Sequence, residues 1–234
     1  GGGPAGLECA LALGQRGYRV ILAEASAELG GRVSREGRLP GLAEWVRVRD
    51  YRVLMLERMA NVSIYRENPL SADEIFEFSA EDQFDYSHVL LANGSSWRRN
   101  GLGRIHREPI PGLDKLKVFT PDDIMDGVLA KGRVVVFDDD HFYMGGVLAE
   151  KLRREGHDVL LVTPAPDIST WTHKTLEQRK VQKQLMDLGV ELATQTNLTA
   201  AETGKVELSC IFTERKIERE CDSLLLVTER IPND

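Results

Sequence analysis

The chain opens on Gly1-Gly2-Gly3-Pro4-Ala5-Gly6, a G-x-G-x-x-G run that leads straight into the apolar stretch Leu7-Glu8-Cys9-Ala10-Leu11-Ala12-Leu13. No other feature narrows the fold as far. In such a run the first glycine allows a tight turn, the second lets a pyrophosphate approach the backbone, and the third lets a helix lie close to a sheet. Pro4 falls in the first helical turn, where a missing N–H costs nothing. The helix N-terminus then offers free N–H groups and the positive end of its dipole to a phosphate. Gly17 stops the helix, Tyr18 to Ala23 reads as an apolar strand, and Glu24 follows. An acid about 20 residues past the glycines is placed to hold ribose hydroxyls. Gly1, Gly3, Pro4, Ala5, Gly6, Glu24 and Ala25 are therefore candidate nucleotide contacts. The competing reading is a glycine-rich turn with no ligand. A motif of this kind follows a buried strand and none precedes Gly1, so the chain reads as a fragment lacking its first strand.

Further along, Leu29-Gly30-Gly31-Arg32 offers paired glycines that let a loop fold over a nucleotide, with Arg32 facing its pyrophosphate. It reads equally as a surface turn with a solvated arginine. The segment Glu44 to Met59 has helical, amphipathic spacing. Asn61 to Tyr65 is a short strand, and Ser71 with Glu74 three residues on is a cap signature for a short helix. Val89 to Ser95, led in by Phe84-Asp85-Tyr86-Ser87-His88, is expected to be a buried strand, with His88 structural at its start. It ends in Ala92-Asn93-Gly94, which either meets a ligand through its backbone or is a plain turn.

Pro109-Ile110-Pro111-Gly112-Leu113 reads as a linker. A second β-α-β unit follows: a short helix from Thr120-Pro121, a strand Arg133 to Phe137, a loop Asp138 to Gly146, a helix Val147 to Glu155, and a strand Asp158 to Thr163. Its chemistry differs from the first. Three aspartates, Asp138, Asp139 and Asp140, stand where a phosphate would sit, and like charge there opposes a dinucleotide. They are expected to be cap and solvent charges, with a metal site as the alternative. Thr163 ends the second strand, with neither an acid for ribose nor an arginine for a 2′-phosphate. Trp171 to Glu177 is expected to open a helix with Val181, Leu185 and Leu188 inward; Trp171 and His173 read as a packed aromatic with a capping histidine, or as a face for a partner. Strands at Val190 to Thr194, Val206 to Phe212, Lys216 to Glu220 and Ser223 to Thr228 close the unit, and no structure is expected beyond Arg230.

These elements define an α/β chain of two Rossmann-like, three-layer domains with mostly parallel sheets. The first, over 1–112, is expected to bind a nucleotide, the second, over 113–228, repeats its fold type, and 229–234 returns towards the first. The 234 residues and 42% hydrophobic content suffice for two cores, and a net charge of −7 argues against nucleic acid as a partner. No apolar run approaches the ~18 residues of a membrane span. Cys9, Cys210 and Cys221 are scattered, read as a buried helix residue and two strand residues, and form no C-x-x-C, so no zinc or iron–sulfur site is expected here.

The set Gly1 to Gly6, Glu24, Leu29-Gly30-Gly31, Leu91-Ala92-Asn93-Gly94 and Thr228-Glu229-Arg230-Ile231-Pro232-Asn233 resembles the flavoprotein reductases with two dinucleotide folds. The likeness tightens over Leu39 to Trp45, Thr120 to Gly127, Phe142-Tyr143-Met144 and Thr172 to Glu177. There the chain resembles the C-terminal half of the trimethylamine, dimethylamine and histamine dehydrogenases, iron–sulfur flavoproteins related to old yellow enzyme and dienoyl-CoA reductase. The resemblance implies a parent with an N-terminal (β/α)₈ barrel carrying FMN, the catalytic residues and a four-iron cluster. It implies ADP where reductases hold FAD, electrons passed to an electron-transfer flavoprotein, a cytoplasmic homodimer, and no catalytic residue in this chain. Asn93 departs from it, standing where the family has Thr. Two other functions follow from the same likeness: the FAD- and NAD(P)H-binding half of an NADH:flavin oxidoreductase or dienoyl-CoA reductase, or a non-catalytic docking module for an electron-transfer partner.

Overall fold

A computed structural model describes residues 1–80 and 88–233. The chain falls into two compact units, one of residues 1–94 with 232–234 and one of residues 95–231.

In the first unit α1 (Pro4–Gln15) is followed by β1 (Val20–Ala23), α2 (Arg32–Glu36), a 3-10 turn (Ala43–Val46), α3 (Arg47–Leu56), β2 (Val62–Tyr65) and α4 (Ala72–Ala80). β1 and β2 pair in parallel, Val20 beside Val62. Leu7, Ala10, Leu11, Leu22, Leu29 and Leu56 form the core, with Val53, Met59 and Val62 packed on it. α1 ends where expected. Gly17 takes φ +85, a left-handed conformation that glycine adopts freely, while Tyr18 N–H reaches back to the Leu13 carbonyl at 3.2 Å. Asn61 Nδ2 then donates to the carbonyls of Gly14 and Tyr18, tying the helix end to the start of β2. At α4 the Glu74 carboxylate accepts both the N–H and the hydroxyl of Ser71, the cap read from the sequence.

The expected strand at Val89 is not present. Residues 88–94 have no strand conformation, and Val89, Leu90 and Leu91 are 52%, 60% and 77% exposed. An apolar run becomes a buried strand only beside another strand that takes its N–H and C=O groups. Among the described residues none lies alongside. His88 is exposed, and residues 84–87 of its lead-in lie outside the described residues.

The second unit contains β3 (Ser95–Trp97), β4 (Lys117–Phe119), α5 (Pro121–Met125), β5 (Arg133–Asp138), α6 (Met144–Arg154), β6 (Asp158–Val162), α7 (Gln178–Asp187), β7 (Glu191–Ala193), β8 (Thr196–Glu202), β9 (Lys205–Cys210), β10 (Lys216–Glu220), β11 (Ser223–Val227) and β12 (Arg230–Pro232). Five strands make a parallel sheet in the order β4-β11-β5-β6-β7. All its central strands are apolar on both faces, as a doubly covered sheet requires. Val135, Phe137, Leu160, Val162, Leu224 and Leu226 face Leu198, Val206 and Leu208 of the antiparallel sheet β10-β9-β8. Alternation turns Val134, Val136, Leu161 and Leu225 to the opposite face, on the side of α6 and α7.

Further expectations are corrected here. The segment from Trp171 is a 3-10 turn over Thr170–Thr175 that stops at Leu176 with φ +63, and α7 begins only at Gln178. The hydroxyls of Thr172 and Thr175 donate to carbonyls three residues back, a local alternative to α-helix that threonine offers. The tail is not free of structure either, since β12 pairs with β3. Cys9 is only half-buried, and Cys221 lies, buried, in the link before β11. Residues 95–112 belong to the second unit, where Ile110 N–H donates to the Asn100 carbonyl and Ile110 joins the core.

Candidate functional site: a nucleotide cradle at the first glycine turn

The three motif glycines stand in three different environments. A Cβ on Gly1 would lie 2.4 Å from the Ala92 carbonyl oxygen, so the turn runs hard against the 92–94 segment. A Cβ on Gly6 would lie 1.8 Å from the Gly1 carbonyl oxygen, which makes glycine obligatory where the helix turns under the loop. Gly3, the N-cap of α1, would meet nothing within 4 Å. Of the three, the glycine at which an added Cβ would meet no atom is the one expected to leave room for a pyrophosphate. Pro4 takes the first helical position beside it, and Ala5 is exposed.

Glu24 leaves the end of β1 and points back at this turn. Its Oε2 accepts the Gly2 N–H at 2.5 Å, and its Oε1 accepts the Ser26 N–H at 2.8 Å and the Ser26 hydroxyl at 2.6 Å. Burial by itself raises the pKa, but the bonds from Ser26 and Gly2 outweigh it and hold the carboxyl below its ordinary value, ionised at neutral pH. A carboxylate has about four acceptor sites, and one remains. The Ser26 hydroxyl, with a single proton, is also 2.8 Å from the Glu28 carbonyl. Turned that way, it frees a second site, enough for two ribose hydroxyls. Ala25 beside it is exposed.

The Leu29-Gly30-Gly31 turn closes over the same loop. Gly30 N–H donates to the Gly2 carbonyl at 2.8 Å, and a Cβ on Gly31 would sit 3.1 Å from Gly3 Cα. Gly30 at φ +103 and Gly31 at φ +50 occupy conformations that side chains rarely take. A brace invisible in the motif supports the turn. Ser34 Oγ donates to the Leu29 carbonyl, and Arg49 Nη1 donates to Ser34 Oγ and Glu28, each at 2.8 Å. Arg32 opens α2 with its side chain 16% exposed and Glu36 3.8 Å away. Ala92, Asn93 and Gly94 complete the cradle. The carbonyls of Asn93 and Gly94 accept the Asn233 Nδ2 and N–H, each at 3.0 Å, and Gly94 has φ +77.

The corresponding turn of the second unit is filled from within. Asp138 and Asp139 are wholly buried, not solvent charges as expected. Asp138 Oδ1 accepts the N–H groups of Asp140 and His141, at 3.1 and 3.0 Å. Its carboxyl occupies the space that a Cβ on Gly145 would enter, 2.5 Å away, at the start of α6. Burial pushes the Asp138 carboxyl up to about 7, the charge of Asp140 adding to it against the His141 N–H bond. Asp139 Oδ2 accepts the N–H groups of Arg104 and Ile105. The Gly145-Gly146 pair thus makes room for protein atoms, where a Cβ on Gly146 would press on Ser169 Oγ and Val181 at 3.0 Å. Among the described residues no group of three or more His, Cys, Asp or Glu is placed to hold a metal ion, and no helix is long and apolar enough to cross a membrane. Trp171 packs under the Arg104 guanidinium at 3.9 Å, and His173 pairs with Asp167 at 2.6 Å.

Two β-α-β units, one with an open glycine turn facing a carboxylate and one with that turn filled, define an α/β protein of the dinucleotide-fold class. Residues 1–53 match the NAD(P)-binding Rossmann-like domain, and residues 119–223 match the OYE-like second alpha/beta domain. Dimethylamine dehydrogenase of Hyphomicrobium sp. (strain x) is 34% identical over all of this chain and 34% of its own length. The structure of histamine dehydrogenase from Rhizobium sp. 4-9 superposes with a TM-score of 0.95 at 44% identity, over all of this chain and 36% of that one. That of 6-hydroxypseudooxynicotine amine oxidase from Pseudomonas geniculata N1 gives 0.95 at 45%, over 34% of that chain. The chain is homologous to the dimethylamine and histamine dehydrogenases, of whose length it spans about a third.

Proposed function

We propose that the first unit is an ADP-binding module and that the protein carrying this chain is an amine dehydrogenase-type oxidoreductase. The observation that carries the first part is the open space at Gly3, bounded by the Glu24 carboxylate on one side and the Gly31 turn on the other. Gly3 and the start of α1 would hold the pyrophosphate, with Arg32 close by. Glu24 would take the ribose hydroxyls, and the backbone of Ala92 to Gly94 would border the ligand. ADP supplies no redox chemistry; bound there it contributes charge and hydrogen bonds.

The second part rests on homology to two amine dehydrogenases. On this reading amine oxidation, FMN and a four-iron cluster belong to a barrel outside these residues, and an electron-transfer flavoprotein takes the electrons. The alternative, a reductase holding FAD and NAD(P)H, is disfavoured by the second unit. Asp138 already accepts the Asp140 and His141 N–H groups of that turn, and its carboxyl fills the space beside Gly145. The test is to denature the intact protein and chromatograph the nucleotides it releases. ADP beside FMN is expected. FAD would support the reductase reading, and release of no adenine nucleotide would overturn the proposal.

A further inference from the structure

In open parallel sheets ligands bind outside the carboxyl ends of the strands, where the strand order reverses. In the second unit that point lies between β5 and β11, because β6 and β7 follow on one side of β5 while β11 and β4 lie on the other. Asp138 fills the half of this crevice that faces α6. The other half is open, a cavity of about 410 Å³ lined by Gly103, Arg104, Arg107, Asp140, Thr228, Glu229 and Arg230.

Two observations give this cavity a preference. The first is charge. Three arginines meet two carboxylates, and Glu229 is already paired with Arg98 at 2.7 Å. Arg104 and Arg230 both bear on Asp140, and both are held in place, Arg104 over the Trp171 ring at 3.9 Å and Arg230 over the Trp97 ring at 5.2 Å. Arg107 is exposed and has no ion pair among the described residues. The second is a polar group with nothing to bond. Thr228 lines the cavity and is 3% exposed, and its Oγ1, itself buried, has no hydrogen-bond partner. A buried hydroxyl left unbonded is destabilising, and a ligand acceptor would satisfy it.

We propose that the cavity at the carboxyl ends of β5 and β11 binds a small doubly charged anion, phosphate or a dicarboxylate, through Arg104, Arg107 and Arg230 with the Thr228 hydroxyl donating to it. Guanidinium forks match both kinds of anion and are pre-organised where they stack on an aromatic ring. A dinucleotide is not the ligand, since the adjoining phosphate position is taken by Asp138. This inference is independent of the ADP site.

The test is calorimetric titration of inorganic phosphate and, separately, succinate into the intact protein, its Arg107→Ala and Thr228→Val variants, and a Lys183→Ala variant on the exposed face of α7 as control. Thr228→Val keeps the buried shape and removes only the hydroxyl. Saturable binding of one anion, weakened roughly tenfold in each cavity variant as expected for loss of a charge-assisted bond, would support the proposal. Lys183→Ala should bind it normally. Whichever anion binds identifies the source, a phosphoryl or a carboxylate compound. No saturable binding of either, or equal binding by wild type and both cavity variants, would overturn it.

Discussion

A methyl group added at Gly3 would meet no atom within 4 Å, whereas one added at Gly6 would lie 1.8 Å from a backbone oxygen. The two alanine variants should therefore separate folding from binding. Gly6→Ala forces backbone to move, an overpacking that costs about 1–3 kcal/mol, and should lower the melting temperature. Gly3→Ala should melt as the wild type does and still lose nucleotide, because its methyl group occupies the ligand's space. A Gly3→Ala protein that retains full ADP affinity would place the pyrophosphate elsewhere. Asp138 gives a second residue-scale test. Its carboxyl titrates near 7 when folded and near 3.8 when unfolded, so between those values the native state holds a proton that the unfolded state has lost. Stability from this group is present at acid pH and lost as pH rises through about 7, by a few kcal/mol at most. Asp138→Asn keeps the acceptor for the Asp140 and His141 N–H groups and should flatten the fall in melting temperature between mildly acid and alkaline pH. An unchanged slope would show that Asp138 is not the group responsible. The identity of Asp138 was legible in the sequence, but its burial was not. Three adjacent aspartates read as solvent charges until the sheet and α6 are seen to close around two of them.

At the scale of elements, the sequence was most informative where local signals agree. The Thr120-Pro121 start of α5 is one case. The Asp123 carboxylate accepts the Thr120 N–H at 2.7 Å and its hydroxyl at 3.0 Å, and pairs with Arg99. Thr120→Ala should cost about 1 kcal/mol, read from denaturant unfolding, as loss of a helix cap does. No loss of stability would show that the Asp123 bonds leave nothing for the threonine to add. Elements that depend on distant partners were not legible. β8, Thr-Asn-Leu-Thr-Ala-Ala-Glu, has little strand propensity and a bulge between Leu198 and Ala200, and it forms because β9 pairs with it across the Gly204 turn. β4 and β12 are three residues each and exist only beside β11 and β3. The reverse error occurred at Val89 to Leu91, where strong strand propensity meets no neighbouring strand among the described residues. Within the site, the glycines, Glu24 and the paired glycines could be read from spacing. The Ser26, Ser34 and Arg49 brace could not, because Arg49 reaches Glu28 across 21 residues.

For the whole molecule, the two units differ at the turn that would meet a nucleotide. The first has an open turn with a carboxylate beside it, and the second has a carboxylate in the turn. Calorimetry of NADH and NADPH with the intact protein should accordingly show no tight site, and a dissociation constant in the low micromolar range would contradict that. The central claim is that Glu24 is the acid that holds the ribose of ADP. It is tested most directly by titrating ADP into intact protein stripped of nucleotide, with and without the Glu24→Ala substitution. Each ribose bond to a charged acceptor contributes on the order of 1.5–3 kcal/mol. The variant should therefore bind at least about tenfold more weakly, since 1.4 kcal/mol is a factor of ten. A 2′-phosphorylated nucleotide, repelled by Glu24, should bind worse than ADP to the wild type. Equal ADP affinities for wild type and variant would contradict the account and move the site away from the glycine turn.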